Sequence, residues 1–167
     1  MKQLVEDASG FSGHAEEIYT PATEAEVVAV LQLGVPMTIL GAGTGVAGGR
    51  VPLEGSALSL EKFNKLEINP GYAVIGAAVW LRDLHKAAAA TGQIYAPDPT
   101  ETSASIGGTI ACNASGSRSF LYGDTRRHVR ALRVAMMDGE VRTFRRGDKV
   151  DFEVPAKQGL MIDAIED

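Results

Sequence analysis

The sequence contains very little cysteine, and this scarcity limits both its chemistry and its compartment. Cys112 is the single cysteine among 167 residues, so no disulfide can form within one chain. Domains that depend on internal disulfides are therefore excluded, and one free thiol suits a reducing compartment. We expect a cytoplasmic protein.

Long hydrophobic runs and excess positive charge are also missing. No apolar stretch approaches the ~20 residues that a transmembrane helix requires. The N-terminal residues 1–11 include acidic side chains and no long apolar region, so they do not resemble a signal peptide. The net charge of −5 argues against a general nucleic-acid-binding protein.

What the sequence does contain is enough apolar material for a hydrophobic core. Hydrophobic residues make up 45% of the chain and charged residues 22%, which is typical of a globular protein. The length predicts one domain, or one domain and part of another.

The most informative stretch follows a predicted buried strand at residues 37–40. Residues 41–49, here called the glycine loop, contain five glycines. Glycine allows close approach of the backbone to a ligand, and successive N–H groups in such a loop can converge on an anion. We therefore predict a phosphate- or pyrophosphate-binding loop rather than an ordinary flexible surface loop.

Residues 43–48 match the G-x-G-x-x-G pattern of dinucleotide-binding proteins, but the residues after them do not fit it. That pattern requires a helix whose N-terminus faces the pyrophosphate. Here Gly49 weakens a helix and Pro52 cannot lie inside one. No Gly-Lys-Ser/Thr follows, so a P-loop ATPase is also excluded. The sequence predicts an anion site built from loop backbone alone.

The remaining elements are a mixture of helices and strands. Thr23 and Glu26 form a capping box that predicts a helix ending before Gly34, and a second helix is predicted over 79–91. Asp138-Gly139 predicts a hairpin turn. Predicted strands cover 57–60, 65–68, 72–75, 129–137 and 140–144. Residues 1–19 are expected to be a polar lead-in, and the tail from 151 to 167 either starts another element or is the end of a truncated domain.

Several single residues have both a functional and a structural interpretation. We expect Trp80 in or near the core, His85 as a solvated helix residue, and Cys112 buried and unreactive among small residues. Asn113 is either a loop-forming residue or a ligand contact. One group of arginines could meet a phosphate or carboxylate, or form the commoner solvated face. These are Arg118, Arg126, Arg127, Arg130 and Arg133.

Four stretches together carry a family resemblance. They are residues 19–27, the glycine loop, Pro97-Asp98-Pro99 with residues 105–116, and residues 122–126. In this order they resemble the FAD-linked oxidases of the vanillyl-alcohol-oxidase type. Within that family they are most similar to the branch of glycolate oxidase and the D-lactate and D-2-hydroxyglutarate dehydrogenases.

The resemblance implies an α+β, two-lobed FAD-binding domain that is truncated on its C-terminal side. This domain would cover residues 1–150, with a first lobe at about 15–70 and the start of a second at about 71–150, before a tail at 151–167. FAD would lie between the lobes. The implied FAD contacts are Gly41, Ala42, Gly43, Thr44, Gly45, Val46, Ala47, Gly48, Gly49, Pro97, Asp98, Pro99, Ala104, Ser105, Gly107, Gly108, Asn113 and Gly116.

The chain departs from the family pattern at a few positions. Thr109 stands where the family usually has Asn, and Ser115 where it often has Gly. Thr44 aligns with a position where some members attach FAD covalently through a histidine, so we predict noncovalent FAD. The family's catalytic side chains have no counterpart here, and we assign neither a catalytic residue nor a metal site.

Two classes of function stay open. The first is the FAD-binding portion of an oxidoreductase that acts on a 2-hydroxy acid such as glycolate or D-lactate, completed by a substrate-binding cap domain and inactive alone. The second is a non-catalytic flavin- or nucleotide-binding module, or a degenerate subunit completed by a partner chain. A partly built domain would leave apolar surface uncovered, so we expect an oligomer or a partner subunit.

Overall fold

A computed structural model describes residues 2–148 and 159–164, and it has an α+β architecture. The strands are β1 (Gln3–Glu6), β2 (Ser12–Ala15), β3 (Ile18–Tyr19), β4 (Met37–Leu40), β5 (Ser56–Ser59), β6 (Leu66–Asn69), β7 (Tyr72–Gly76), β8 (Ala131–Met136), β9 (Val141–Arg145) and β10 (Gly159–Ala164). The helices are α1 (Glu24–Leu31), α2 (Leu81–Ala90), α3 (Ile106–Ala111) and α4 (Ser119–Tyr122), with a 3-10 turn at Thr125–His128.

The first sheet is parallel and has three strands in the order β3-β5-β4. Its central strand β5 is buried along its whole length, as expected where both faces of a parallel sheet are covered. Helix α1 connects β3 to β4, and its capping box is confirmed. The Glu26 N–H donates to Thr23 Oγ1 at 3.2 Å, while the Glu26 carboxylate accepts from the Ala22 N–H at 2.7 Å.

The second sheet is antiparallel, with the strand order β6-β7-β10-β8-β9. One of its hairpins turns at the predicted Asp138-Gly139, and the other turns between the predicted strands 65–68 and 72–75. Gly71 and Gly139 have φ angles of 81° and 86°, which an L side chain rarely adopts. Strand β10 comes from the tail and lies between the two hairpins. The tail therefore contains a further element, whereas residues 149–158 and 165–167 lie outside the described residues.

One hydrophobic cluster joins the two sheets. It combines Val27 and Leu31 of α1 with Leu58 of β5 and Ala135 of β8. The Arg133 guanidinium also donates to the Glu24 carboxylate through Nη2 at 2.6 Å, and this hydrogen bonding lowers the pKa of Glu24. The core and the ion pair therefore attach helix α1 to the second sheet.

The N-terminal residues are more ordered than the sequence indicated. Residues 1–19 were expected to be a polar lead-in, but β1 and β2 form an antiparallel hairpin and β3 joins the first sheet. Val5 and Ala15 are buried against Leu40 and Ala57. Strands of four residues with so few apolar side chains give almost no periodicity, so the expectation was wrong.

Two side chains, one just before α2 and one within it, lie elsewhere than expected. Trp80 precedes the helix, is 41% exposed and has the Arg82 guanidinium 3.8 Å from its ring centroid. His85 is partly buried, with its ring centroid 5.8 Å from that of Tyr95. Its Nε2 is buried and has no hydrogen-bond partner within the described residues. The core position of Trp80 and the solvated position of His85 were therefore both wrong.

None of these helices is both long enough and apolar enough to cross a membrane; this statement covers the described residues only.

Candidate functional site

The glycine loop leaves β4 and does not enter a helix. Residues 41–55 contain turns and bends, and the next regular element is β5 at Ser56. The prediction that the G-x-G-x-x-G match opens no helix is therefore confirmed. The chain returns to the sheet through Val51 and Pro52, whose side chains are buried.

The N-terminal hairpin holds the glycine loop in place. The Ala8 N–H donates to the carbonyls of Gly43 and Gly45 at 3.0 and 3.1 Å. The Asp7 carboxylate accepts from the Gly48 N–H at 2.7 Å and from the Ser9 N–H at 3.0 Å. These contacts come from the segment expected to be a polar lead-in, so they were not predicted.

The hydrogen bonds that Asp7 accepts lower the pKa of its carboxyl below its usual value. The Ser9 hydroxyl, which lies 2.5 Å away, is the largest influence that lowers the pKa of this carboxyl. Burial opposes the shift, and the two backbone N–H donors and the nearby Arg50 add to it. A short Asp-x-Ser sequence after a strand was the available indication of this local turn.

Most N–H groups of the glycine loop have no internal partner. Within the described residues, the N–H groups of residues 43–47 and of Gly49 donate no hydrogen bond, whereas those of Ala42 and Gly48 do. The loop is thus anchored mainly through its carbonyl oxygens. A run of unengaged N–H donors is the arrangement that an anion-binding nest requires.

Glycine is required at two positions of this loop. Gly43 and Gly48 have φ angles of 81° and 72°. A Cβ built on Gly43 would lie 2.2 Å from Nη1 of Arg50. Gly45 is different, because a Cβ there would have no atom within 4 Å and its φ is not positive. Gly45 is therefore the position where a side chain can probe the site without disturbing the fold.

Ser105 brings a second predicted segment against the loop. Its buried hydroxyl oxygen accepts from the Ala42 N–H and from the Gly108 N–H, each at 3.4 Å. A Cβ on Gly41 would lie 3.2 Å from the same oxygen. Residues predicted to contact one cofactor therefore meet in the structure, although they are far apart in sequence.

Ser105 caps helix α3, but the first turn of this helix has no unengaged N–H groups within the described residues. The N–H groups of Ile106 and Gly107 donate to the carbonyls of Val79 and Ala77, each at 2.8 Å. The Gly108 N–H is taken by the Ser105 hydroxyl. The first-turn donors that could bind an anion are thus already used.

The Pro97-Asp98-Pro99 turn forms a separate contact with Gly116. Pro99 and Gly116 are joined by an isolated β-bridge, and a Cβ on Gly116 would lie 1.7 Å from the Asp98 carbonyl oxygen. Arg118 pairs with the Asp98 carboxylate at 3.2 Å. No hydrogen bond among the described residues links this turn to the glycine loop. Contact of these residues with FAD stays a prediction.

Asn113 acts as a loop-forming residue. It has a positive φ of 47°, its amide nitrogen donates to Asp124 Oδ2 at 2.8 Å, and its amide oxygen accepts from the Arg126 N–H at 2.9 Å. The bond from Asn113 is the largest influence that lowers the pKa of Asp124. The structure therefore shows one of the two roles left open for Asn113, and its contact with FAD stays a prediction.

Cys112 and the arginines differ from the simplest expectations. Cys112 follows α3 as its C-terminal cap and is exposed, so the prediction that it is buried was wrong. The preceding residue Ala111 is exposed as well, so the C-terminal end of α3 lies at the surface. Of the arginines, Arg133 pairs with Glu24 and Arg118 with Asp98, so these two bind carboxylates of this chain.

A cavity of about 340 Å³ lies away from the glycine loop. It is lined by residues of α2, α3, β6 and β7 and of the segment around the 3-10 turn. Leu84, Tyr95, Ile106 and His128 are among these residues. The Tyr95 ring makes an edge contact with that of His128, with centroids 6.4 Å apart. None of the predicted FAD contacts lines this cavity.

Comparison with known proteins identifies related chains. Residues 15–145 match the family model of the FAD binding domain. The D-lactate dehydrogenase of Archaeoglobus fulgidus is 37% identical over 131 residues, which cover 74% of this chain and 30% of that protein. The glycolate oxidase subunit GlcD of Escherichia coli is 36% identical over 136 residues, which cover 76% of this chain and 27% of that protein.

A solved structure gives independent support for the fold. A variant of the BBE-like 1 protein of Physcomitrella patens superposes with a TM-score of 0.66 at 22% sequence identity. The match covers 78% of this chain and 30% of the other. The α+β fold class and the family resemblance are confirmed.

The chain spans 30% or less of the length of the curated relatives described above. The family model nevertheless matches most of this chain, including the glycine loop and the segment around Ser105. The chain therefore belongs to the FAD binding domain family, whose cofactor is FAD.

Proposed function

We propose that this chain is the FAD-binding portion of a flavin-dependent oxidoreductase that acts on a 2-hydroxy acid such as glycolate or D-lactate. The observation that carries the proposal is the run of unengaged N–H groups in the glycine loop, beside the segment that begins at Ser105. The relatives named for D-lactate and glycolate support the substrate class.

The residues present fit the diphosphate of FAD. A diphosphate offers several anionic oxygens, and hydrogen bonds from N–H donors to charged oxygens are stronger than those between neutral groups. Small residues at Ala104, Gly107 and Gly108 leave room for a flat ring near the loop. When bound, FAD would supply the chemistry by accepting a hydride from the hydroxyl-bearing carbon of the acid.

Several features of the whole enzyme belong to this proposal. Residues 1–150 would form the FAD-binding domain, in two lobes divided near residue 70, and residues 151–167 its tail. Substrate-handling and catalytic groups would come from a further domain. We also propose a cytoplasmic location and association with a second copy or a partner subunit.

We propose that FAD is held without a covalent bond. Thr44 aligns with the position at which some members of the family attach FAD covalently through a histidine. The hydroxyl of Thr44 cannot form that bond in the same way. Because Cys112 is exposed, a covalent bond between its sulfur and FAD has to be tested as well. After acid precipitation, the flavin should stay in the supernatant for both the parent and Cys112→Ser. Yellow colour in the parent pellet that Cys112→Ser removes would contradict the noncovalent proposal.

The main test compares Gly45→Asp with Gly45→Ala. Both add a Cβ in open space, but only Asp places a negative charge beside the N–H groups. Like charges brought together cost several kcal/mol, so we expect Gly45→Asp to lower FAD affinity by about 100-fold or more. Gly45→Ala should bind like the parent.

The measurements are flavin fluorescence on titration and thermal stabilisation by FAD. Any real site gives stabilisation of a kcal/mol or so when ligand is well above its dissociation constant. A parent protein that shows neither response would contradict FAD binding by this chain. Equal binding by Gly45→Asp and the parent would place the diphosphate elsewhere.

A further inference from the structure

Arg50 is the only cationic side chain in its part of the chain. Between His14 and Lys62 no other Lys, Arg or His occurs, while Glu16, Glu17, Glu24, Glu26, Glu54 and Glu61 do. Arg50 immediately follows the glycine loop, and its guanidinium keeps its charge at any physiological pH.

The side chain of Arg50 packs against the loop itself. Its Nη1 lies only 2.2 Å from the position that a Cβ of residue 43 would take. Gly43 has a positive φ and no side chain, so the guanidinium can approach the loop backbone. Arg50 is partly buried, and its Nε has no hydrogen-bond partner within the described residues.

The charge of Arg50 acts on the Asp7 carboxylate. The positive charge of Arg50 is one of the influences that lower the pKa of this carboxyl, although smaller than the Ser9 hydroxyl bond. Asp7 is already bonded to Ser9 and to the Gly48 N–H. Within the described residues, Arg50 makes neither a hydrogen bond nor an ion pair with this carboxylate, and its buried Nε has no partner.

We propose that Arg50 supplies the fixed positive charge of the glycine loop and binds the diphosphate of FAD together with the loop N–H groups. The inference rests on the proposed function and adds a residue to its site. No helix N-terminus supplies that charge, because residues 41–55 form no helix and the first donors of α3 are engaged. Arg is the side chain that best matches phosphate oxygens in charge and geometry.

The test measures the affinities of three proteins for three ligands. The proteins are the parent, Arg50→Gln and Arg50→Lys, and the ligands are FAD, ADP and adenosine. A hydrogen bond to a charged group corresponds to about 10- to 100-fold in affinity, so Arg50→Gln should lose that factor for FAD and ADP. Its affinity for adenosine, which has no phosphate, should not change. Arg50→Lys should be intermediate, because it keeps the charge without the planar fork.

Arg142→Gln is the matched control. Arg142 lies in β9 and pairs with Asp138 and Glu140, so its loss removes a positive charge far along the chain from the loop. FAD affinity should be unchanged. Parent affinity for FAD should also fall with added salt, because a charged contact is screened.

Each outcome decides between two ideas. If the parent binds FAD and Arg50→Gln binds it equally well, the role of Arg50 is wrong and the proposed function stands. An equal loss for ADP and adenosine would make Arg50 merely structural and overturn the proposal. If Arg50→Gln does not fold, parent binding of adenosine as tight as that of ADP overturns it instead. A parent that binds neither FAD nor ADP contradicts the proposed function, and this inference with it.

Discussion

The glycine loop and the segment from 104 to 116 have similar compositions but use their backbones in opposite ways. Both are rich in glycine and alanine, and each contains a threonine. In the loop, carbonyls accept from Ala8 while most N–H groups stay unengaged. In the second segment, the N–H groups of Ile106, Gly107 and Ala114 donate to carbonyls within the chain.

The difference separates two uses of small residues. In the glycine loop they leave backbone donors unengaged, as the proposed FAD site requires. In the 104–116 segment they allow chain to pack closely on chain, as Gly116 does against Asp98. Composition alone therefore cannot identify a ligand-binding loop; the engagement of its N–H groups can.

The largest effect is expected at Gly116, where close packing is tightest. Gly116→Ala would place a Cβ 1.7 Å from the Asp98 carbonyl oxygen, so the backbone must shift. Such overpacking costs roughly 3 kcal/mol of unfolding free energy. Chemical denaturation of the variant measures this loss.

Gly45→Ala is the control, because its Cβ meets open space and should change stability by less than about 0.5 kcal/mol. The contrast between the two regions is broken if Gly116→Ala is as stable as Gly45→Ala.

An intermediate effect is expected at Ser105, where the two regions meet. Ser105→Ala removes the N-cap of α3 and the acceptor of the Ala42 N–H. Loss of an N-cap costs about 1 kcal/mol of stability. FAD affinity should also fall, because the segment no longer holds the start of the loop.

Ser117→Ala, at an exposed position, should change neither quantity. Thermal unfolding and flavin titration measure both. A loss of stability in Ser105→Ala with unchanged FAD affinity would show that the two regions act independently.

The smallest effect is expected at Asp7 and is confined to acid pH. Since the pKa of Asp7 is lowered on folding from its usual 3.8, its contribution to stability is fully present above about pH 3.8. That contribution is lost as pH falls through the lower folded pKa. The parent should therefore be more stable than Asp7→Asn at neutral pH, and the difference should shrink on acidification.

Thermal unfolding across a pH series tests the role of Asp7. A difference between the two proteins that stays constant down to pH 2 would show that the carboxylate charge does not hold the loop.

The sequence predicted the elements that have strong local patterns. The capping box at Thr23, the glycine loop after β4 and the hairpin turn at Asp138-Gly139 were all found where expected. Each is determined by residues close together in the chain. Gly49 and Pro52 were enough to exclude a helix directly after the loop.

The remaining features depend on contacts that no local pattern encodes. Helix α3 contains Gly107 and Gly108, which disfavour helix, and it forms because Ser105 caps it and β7–α2 carbonyls take its first donors. The anchoring of the loop by Asp7 and Ala8 joins segments far apart in sequence. The exposure of Cys112 depends on which segments pack around the end of α3.

The central position of β10 has a consequence for the order in which the chain folds. Hairpins β6–β7 and β8–β9 each pair neighbouring residues, so each can form soon after its own residues are synthesised. In the second sheet, β10 pairs with β7 on one side and β8 on the other. Pairing between segments so distant along the chain is intrinsically slow. On a ribosome, the two hairpins therefore cannot be joined through β10 until the strand at Gly159–Ala164 has emerged.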